Sequence, residues 1–109
     1  MLPQRLRLRK SADFVPVLKG GRKIVRATLI FYSLPSAQAR FGVVVGRKIG
    51  GAVERNRVKR VLRHSAYPLI DESRPMDVVV RAREGCATAL SAVRDDLASA
   101  WEQAKRARA

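Results

Sequence analysis

The sequence predicts a single α+β domain, from its length, from two alternating kinds of apolar pattern, and from the glycines and prolines that separate them. At 109 residues the chain supports one modest core. Segments rich in β-branched residues alternate with segments whose apolar residues recur every three or four positions, the marks of strand and helix respectively. Gly20-Gly21, Pro35, Gly50-Gly51, Pro68 and Pro75 punctuate them. No repeat and no linker divides the chain.

Taken in order, the first ten residues set Arg5, Arg7, Arg9 and Lys10 around Leu6 and Leu8, which suits either an extended cationic arm or a frayed terminus. Ser11 to Lys19 predicts a short helix stopped by Gly20-Gly21. With Ser11 as its cap, Pro16 would delete a backbone bond inside the helix; with Asp13 as the cap, Pro16 falls in the first turn, so Asp13 is the expected cap. Phe14, Val17 and Leu18 then share one side. Arg22 to Leu34 is rich in strand-forming residues, and Phe41 to Val45 supplies a further strand. That second strand spans Arg40 to Gly46 around the run Phe41 to Val45, and with only Pro35 to Ala39 between the two an antiparallel hairpin is expected. Tyr32 reads either as a core residue whose hydroxyl reaches the edge or as part of a platform for single-stranded nucleic acid.

Ala52 to Ala66, free of Gly and Pro, predicts a helix of about four turns. Tyr67 to Pro75 is a polar loop, and Asp77 to Arg83 is a strand apolar enough at its start to be central. From Thr88 onward, Leu90, Val93, Leu97, Trp101 and Ala104 draw the stripe of an amphipathic helix that should cover the sheet.

The net charge of +14 is segregated. Residues 1–26 hold eight basic groups and one acid, residues 27–63 again eight and one, and residues 64–109 seven of each. A chain made basic for solubility alone would spread its charge, so a polyanionic partner is expected, nucleic acid by default. One cysteine, Cys86, excludes a disulfide framework and a multi-cysteine zinc site. No apolar run approaches a membrane span, and basic residues interrupt the leucines of the N-terminus, so a cytoplasmic protein is expected.

The charge has a focus in the helix from Ala52 to Ala66. At about 100° per residue, Val58, Val61 and Leu62 fall on one side, while Asn56, Lys59, Arg60 and Arg63 form a stripe on the other. Arg55 and Arg57 lie near the boundaries, and only Glu54 offsets them. Like charges at i, i+4 repel by a few tenths of a kcal/mol per pair. A helix selected for stability alone would interleave acids, whereas arginine forks suit phosphate.

Catalytic groups do not converge. His64, the sole histidine, has Arg60 and Val61 where an orienting carboxylate would stand. Cys86 has Arg81 and Arg83 upstream, which would lower a thiol's pKa, but only a distant histidine. Asp71-Glu72 sits in a loop and Asp95-Asp96 in the helix expected to cover the sheet, where adjacent residues do not face one another, so neither pair resembles a two-metal site. The glycine pairs lack nucleotide-binding spacing. The chain offers many ways to hold a polyanion and no evident way to cut one.

Arg47-Lys48-Ile49-Gly50, then Ala52-Val53, then Arg55-Asn56-Arg57-Val58-Lys59-Arg60 resemble the signature of the protein subunit of bacterial ribonuclease P. The sequence departs from that pattern at Gly46, where Ser is common, at Gly51, where Asn is common, and at Leu18, where a second aromatic is common. The resemblance implies an αβββαβα sandwich with a mixed four-stranded sheet and a left-handed crossover. It implies that Arg47, Lys48, Arg55, Asn56, Arg57, Lys59, Arg60 and Arg63 bind the ribonuclease P RNA, and that Phe14 and Tyr32 line a cleft for the 5′ leader of precursor tRNA. It further implies an endoribonuclease whose chemistry and magnesium reside on the RNA subunit, with no catalytic residue and no metal or cofactor on the protein. The rival readings are a small ribosomal protein, a stand-alone nuclease using Cys86 or a carboxylate pair, and a DNA-binding helix-turn-helix.

Overall fold

The centre of the sheet goes to the strand with the most apolar surface to hide. In the computed structural model, which describes residues 2–108, that strand is β4 (Met76–Ala82), where Val78, Val79 and Val80 are all 0% exposed. It follows helix α1 (Ser11–Gly20), strands β1 (Arg22–Val25), β2 (Leu29–Pro35) and β3 (Arg40–Val44), and helix α2 (Ala52–Ala66), and it precedes helix α3 (Leu90–Arg108). This is the expected αβββαβα order in a mixed four-stranded sheet.

The expected hairpin of Arg22–Leu34 with Arg40–Gly46 does not form. The hairpin is instead β1–β2, turned at Arg26 to Thr28, and β4 inserts between β2 and β3 to give the order β1-β2-β4-β3. A strand apolar on both faces is most stable with neighbours on both edges. β4 takes β2 antiparallel and β3 parallel, with α2 as the crossover that parallel neighbours require. Arg40 and Asp77 are direct partners in the β3–β4 register. Their side chains make a two-pronged pair, Nε to Oδ1 at 3.1 Å and Nη2 to Oδ2 at 2.9 Å, which pins that register.

The sheet is covered on both sides. Alternation along the strands sends Phe31, Phe41, Val78 and Val80 to the face under α2 and α3, where they meet Val58, Leu62, Val93, Leu97 and Trp101. Trp101 closes this layer, its ring centroid 5.5 Å from Phe31 and 5.8 Å from Phe41. On the other face Tyr32 and Val79 pack with Leu8, Val17, Phe14 and Leu18. Gly42 is what lets α1 sit so close: a Cβ there would lie 2.6 Å from the Phe14 ring.

Two local expectations change. α1 starts at Ser11 with Lys10 at the cap position and no side-chain cap, so Pro16 lies inside the helix, and Asp13 reaches Arg40 at 3.7 Å instead of capping. The backbone bond that Pro16 deletes falls on the exposed side, while the helix is held from below by Val17. The N-terminal arm is not frayed. Leu2 and Leu6 fill one core layer and Leu8 the other, and the Leu8 N–H donates to the Phe41 carbonyl at 2.9 Å as the arm crosses the edge of β3.

Candidate nucleic-acid interface

α2 runs from Ala52 to Ala66 because the chain before it turns through Gly50, whose φ of 150° is rarely open to a side chain, and Pro68 follows it. Gly51 occupies the cap position without a side-chain bond, and the Glu54 side chain folds back toward the Gly50-Gly51 turn. There its charge suits the positive end of the helix dipole. Val58, Leu62 and Ala66 are buried, so the helix has one rotational setting and its other side must face solvent.

On that side Asn56, Lys59, Arg60 and Arg63 line a groove of ≈ 480 Å³ together with Leu2, Arg7 and His64. No acid lines it, and among the described residues none of its cations takes part in an ion pair. Arg63, half-buried, has its guanidinium pKa pushed below the usual value, first by burial and then by the charge of Arg7. The arrangement is an unneutralised cationic trough with one amide in it.

The remaining residues of the basic segment sit elsewhere. Arg47 and Lys48, in the short turn Arg47–Ile49, line a second groove of ≈ 330 Å³ with Val44, Arg81 and Glu84 among its other walls. Arg55 turns back to donate from Nε to the Gly51 carbonyl at 3.4 Å, and Arg57 is exposed and lines neither groove. The eight RNA-binding candidates thus fall into two grooves and a ridge.

Phe14 and Tyr32 share the apolar layer beneath α1. The register places Tyr32, Val79 and Gly42 side by side across three strands, with the Phe14 ring over Gly42. Phe14 is half-buried, whereas Tyr32 is only 8% exposed and is a core residue first. Two register positions further along, Val25, Ile30, Arg81 and Val44 lie on the same face, Arg81 exposed and Val25 51% exposed. Sequence reasoning missed Arg81, although period-two alternation from Val79 marks it. It also left Arg7 undecided, because no local pattern joins an N-terminal arm to a helix some fifty residues later.

The catalytic candidates have structural surroundings. Cys86 is fully buried, and burial pushes its thiol pKa up, against the lowering that nearby arginines suggested. Asp96 accepts from the Thr28 N–H at 3.0 Å and its hydroxyl at 2.6 Å; Asp71 accepts from Ser73, and Glu72 pairs with Arg5. Among the described residues no three His, Cys, Asp or Glu side chains cluster as a metal site. No helix there is long and apolar enough to cross a membrane.

Residues 2–105 match the family model of Ribonuclease P. The chain belongs to the ribonuclease P protein family. It is 43% identical over 101 residues to the ribonuclease P protein component of Rhodococcus opacus (strain B4), covering 84% of this chain and 81% of that one. With the ribonuclease P protein component of Mycobacterium sp. (strain KMS) it shares 37% over 112 residues, 96% and 94% of the two chains. The fold is that of the RNase P protein of Staphylococcus aureus, with a TM-score of 0.80 at 25% identity over 92% of this chain and 95% of that one. It also matches the RNase P protein of Thermotoga maritima, with a TM-score of 0.75 at 26% identity over 89% and 96%. An RNA partner follows from membership of the ribonuclease P protein family.

Proposed function

We propose that this chain binds the catalytic RNA of ribonuclease P through the outward side of α2 and presents the α1 side of the sheet to the 5′ leader of precursor tRNA, assisting tRNA 5′ maturation in the cytoplasm. The observation that carries the reading is the groove along Asn56, Lys59, Arg60 and Arg63, cationic and without an acid. Arg55 and Arg57 extend that contact along the ridge of α2, and Arg47 and Lys48 hold RNA in the neighbouring groove beside Arg81. Each phosphate engaged contributes roughly 0.7 to 0.9 to the slope of log affinity against log salt. Leader bases pack on the exposed part of Phe14, with Tyr32 shaping the floor beneath.

In this reading the protein lowers the electrostatic cost of bringing an RNA substrate onto an RNA catalyst, and magnesium serves the RNA subunit. The test is cleavage of a 5′-labelled precursor tRNA at low magnesium by the RNA subunit, by this protein, and by both. Activity in the mixture alone, lost on Arg57→Ala with Arg60→Ala, is the expected result. Cleavage by the protein alone would overturn the assignment of chemistry to RNA, and absence of stimulation would overturn the function.

A further inference from the structure

The N-terminal arm reaches the groove as well as the core. Leu6 and Leu8 enter opposite core layers, and Arg7 between them pairs with Phe41 at the sheet edge. Its side chain lines the groove of α2. Arg7 Nε donates to the Leu2 carbonyl at 3.0 Å, which fixes the guanidinium, and its terminal nitrogens take no hydrogen bond among the described residues. Arg63, from α2, lines the same groove, half-buried and likewise without an ion pair among those residues. Asp13, Asp71, Glu72, Asp77 and Asp96 are each engaged away from this groove, and Glu54 is turned to its own helix end. Two guanidiniums in one groove, near enough for the charge of Arg7 to depress the Arg63 pKa and with no carboxylate among the walls, leave an excess of positive charge that suits an anion.

We propose that Arg7 and Arg63 clasp a single phosphate of a folded RNA across the seam between the arm and α2. The arm is then part of the RNA-binding surface, and RNA binding and arm docking stabilise one another. The opposite charge of a phosphate would offset the burial and the like charge of Arg7 that depress the Arg63 guanidinium, in keeping with this placement. The inference rests on the proposed function of the α2 side and adds a second element to it.

The test is a double-substitution cycle on the full chain, with affinity for a bacterial ribonuclease P RNA transcript measured across a salt series. Arg7→Gln and Arg63→Gln are each expected to lose about tenfold, the scale of one charge-assisted hydrogen-bonded contact. A shared phosphate makes the double variant lose little more than either single one, with its salt slope lowered by about 0.9 in total. Additive losses and a slope lowered by about twice that would overturn the clasp. Arg9→Gln, which removes the same charge from the same arm outside the groove, should combine additively with Arg63→Gln. Where Arg7→Gln lowers the urea midpoint, Arg7→Lys, which keeps charge and stem and removes the guanidinium fork, is used in the cycle instead. A loss of affinity that is non-additive with Arg63→Gln, at an unchanged salt slope for the single variant, then supports the clasp, and an additive loss overturns it. Inorganic phosphate is the second probe: stabilisation by it that both substitutions abolish, with RNA affinity unchanged, would make this a free-anion site and overturn the RNA assignment. If Arg60→Ala weakens RNA binding and Arg7→Gln does not, only the clasp fails; if neither does, the function proposed for this side of α2 fails with it.

Discussion

Replacing Gly42 by alanine forces a methyl group to within 2.6 Å of the Phe14 ring, so either the ring or α1 must move. Overpacking of this kind costs about 1–3 kcal/mol, to be read from a urea midpoint, and leader binding should weaken with it while affinity for the RNA subunit holds. A second residue-scale expectation concerns Cys86, whose buried thiol has its pKa raised above the ordinary 9.0. The folded state therefore keeps its proton longer than the unfolded state. Its contribution is complete below about pH 9 and is lost as pH rises from the unfolded pKa through the folded one, at up to about 1.4 kcal/mol per pH unit. Subtracting the pH profile of Cys86→Ala from that of the parent isolates it; identical slopes above pH 9 would contradict the assignment. Asn56, Lys59, Arg60 and Arg63 were legible in the sequence as a set because helical periodicity is local and the buried Val58 and Leu62 fix its phase. Arg40 with Asp77 was not, since 37 residues separate two side chains that only strand register brings together. Asp77→Ala would leave Arg40, at 24% side-chain exposure, with only the 3.7 Å approach to Asp13, and that remaining partner and solvent screening discount the usual cost of a broken buried pair to about 1–3 kcal/mol.

Among elements, α2 was the most readable: Gly51 before it and Pro68 after it delimit the helix at the residues expected. α3 followed for the same reason, its stripe of Val93, Leu97, Trp101 and Ala104 being buried as its spacing requires. α1 was misread at its cap because packing of Val17 and Phe14 outweighs the local penalty of an internal proline. Strand pairing was the least readable, since a short loop between β2 and β3 favours a hairpin locally, while the demand of β4 for two neighbours is a property of the whole sheet. The arm is an element in its own right, and Leu6→Ala is expected to cost about 2–4 kcal/mol through the cavity it leaves. The same variant should reduce RNA affinity at fixed salt by loosening Arg7; an unfolding midpoint that does not move would show that the arm is not docked in solution.

At the scale of the molecule, the segregated charge seen in the composition becomes a division of labour. The first 63 residues supply both grooves apart from His64, Arg81, Ala82 and Glu84, while the charge-balanced remainder supplies the central strand and the helix that closes the core. The affinity for RNA should therefore fall steeply with salt, and a charge-neutral cosolute at equal osmolality should leave it nearly unchanged.

The position of β4 also governs how the chain is born. β2 and β3 have no partnership with one another, and the strand that unites them begins at Met76, so the sheet stays open until most of the polypeptide has been synthesised. Contacts as distant as Leu29 with Ala82 must close before the layer under α1 is complete, and such long-range pairing forms more slowly than local contacts do. Until that final strand arrives, the emerged segment carries nearly all the positive charge of both grooves without the complete sheet that gives them their shape.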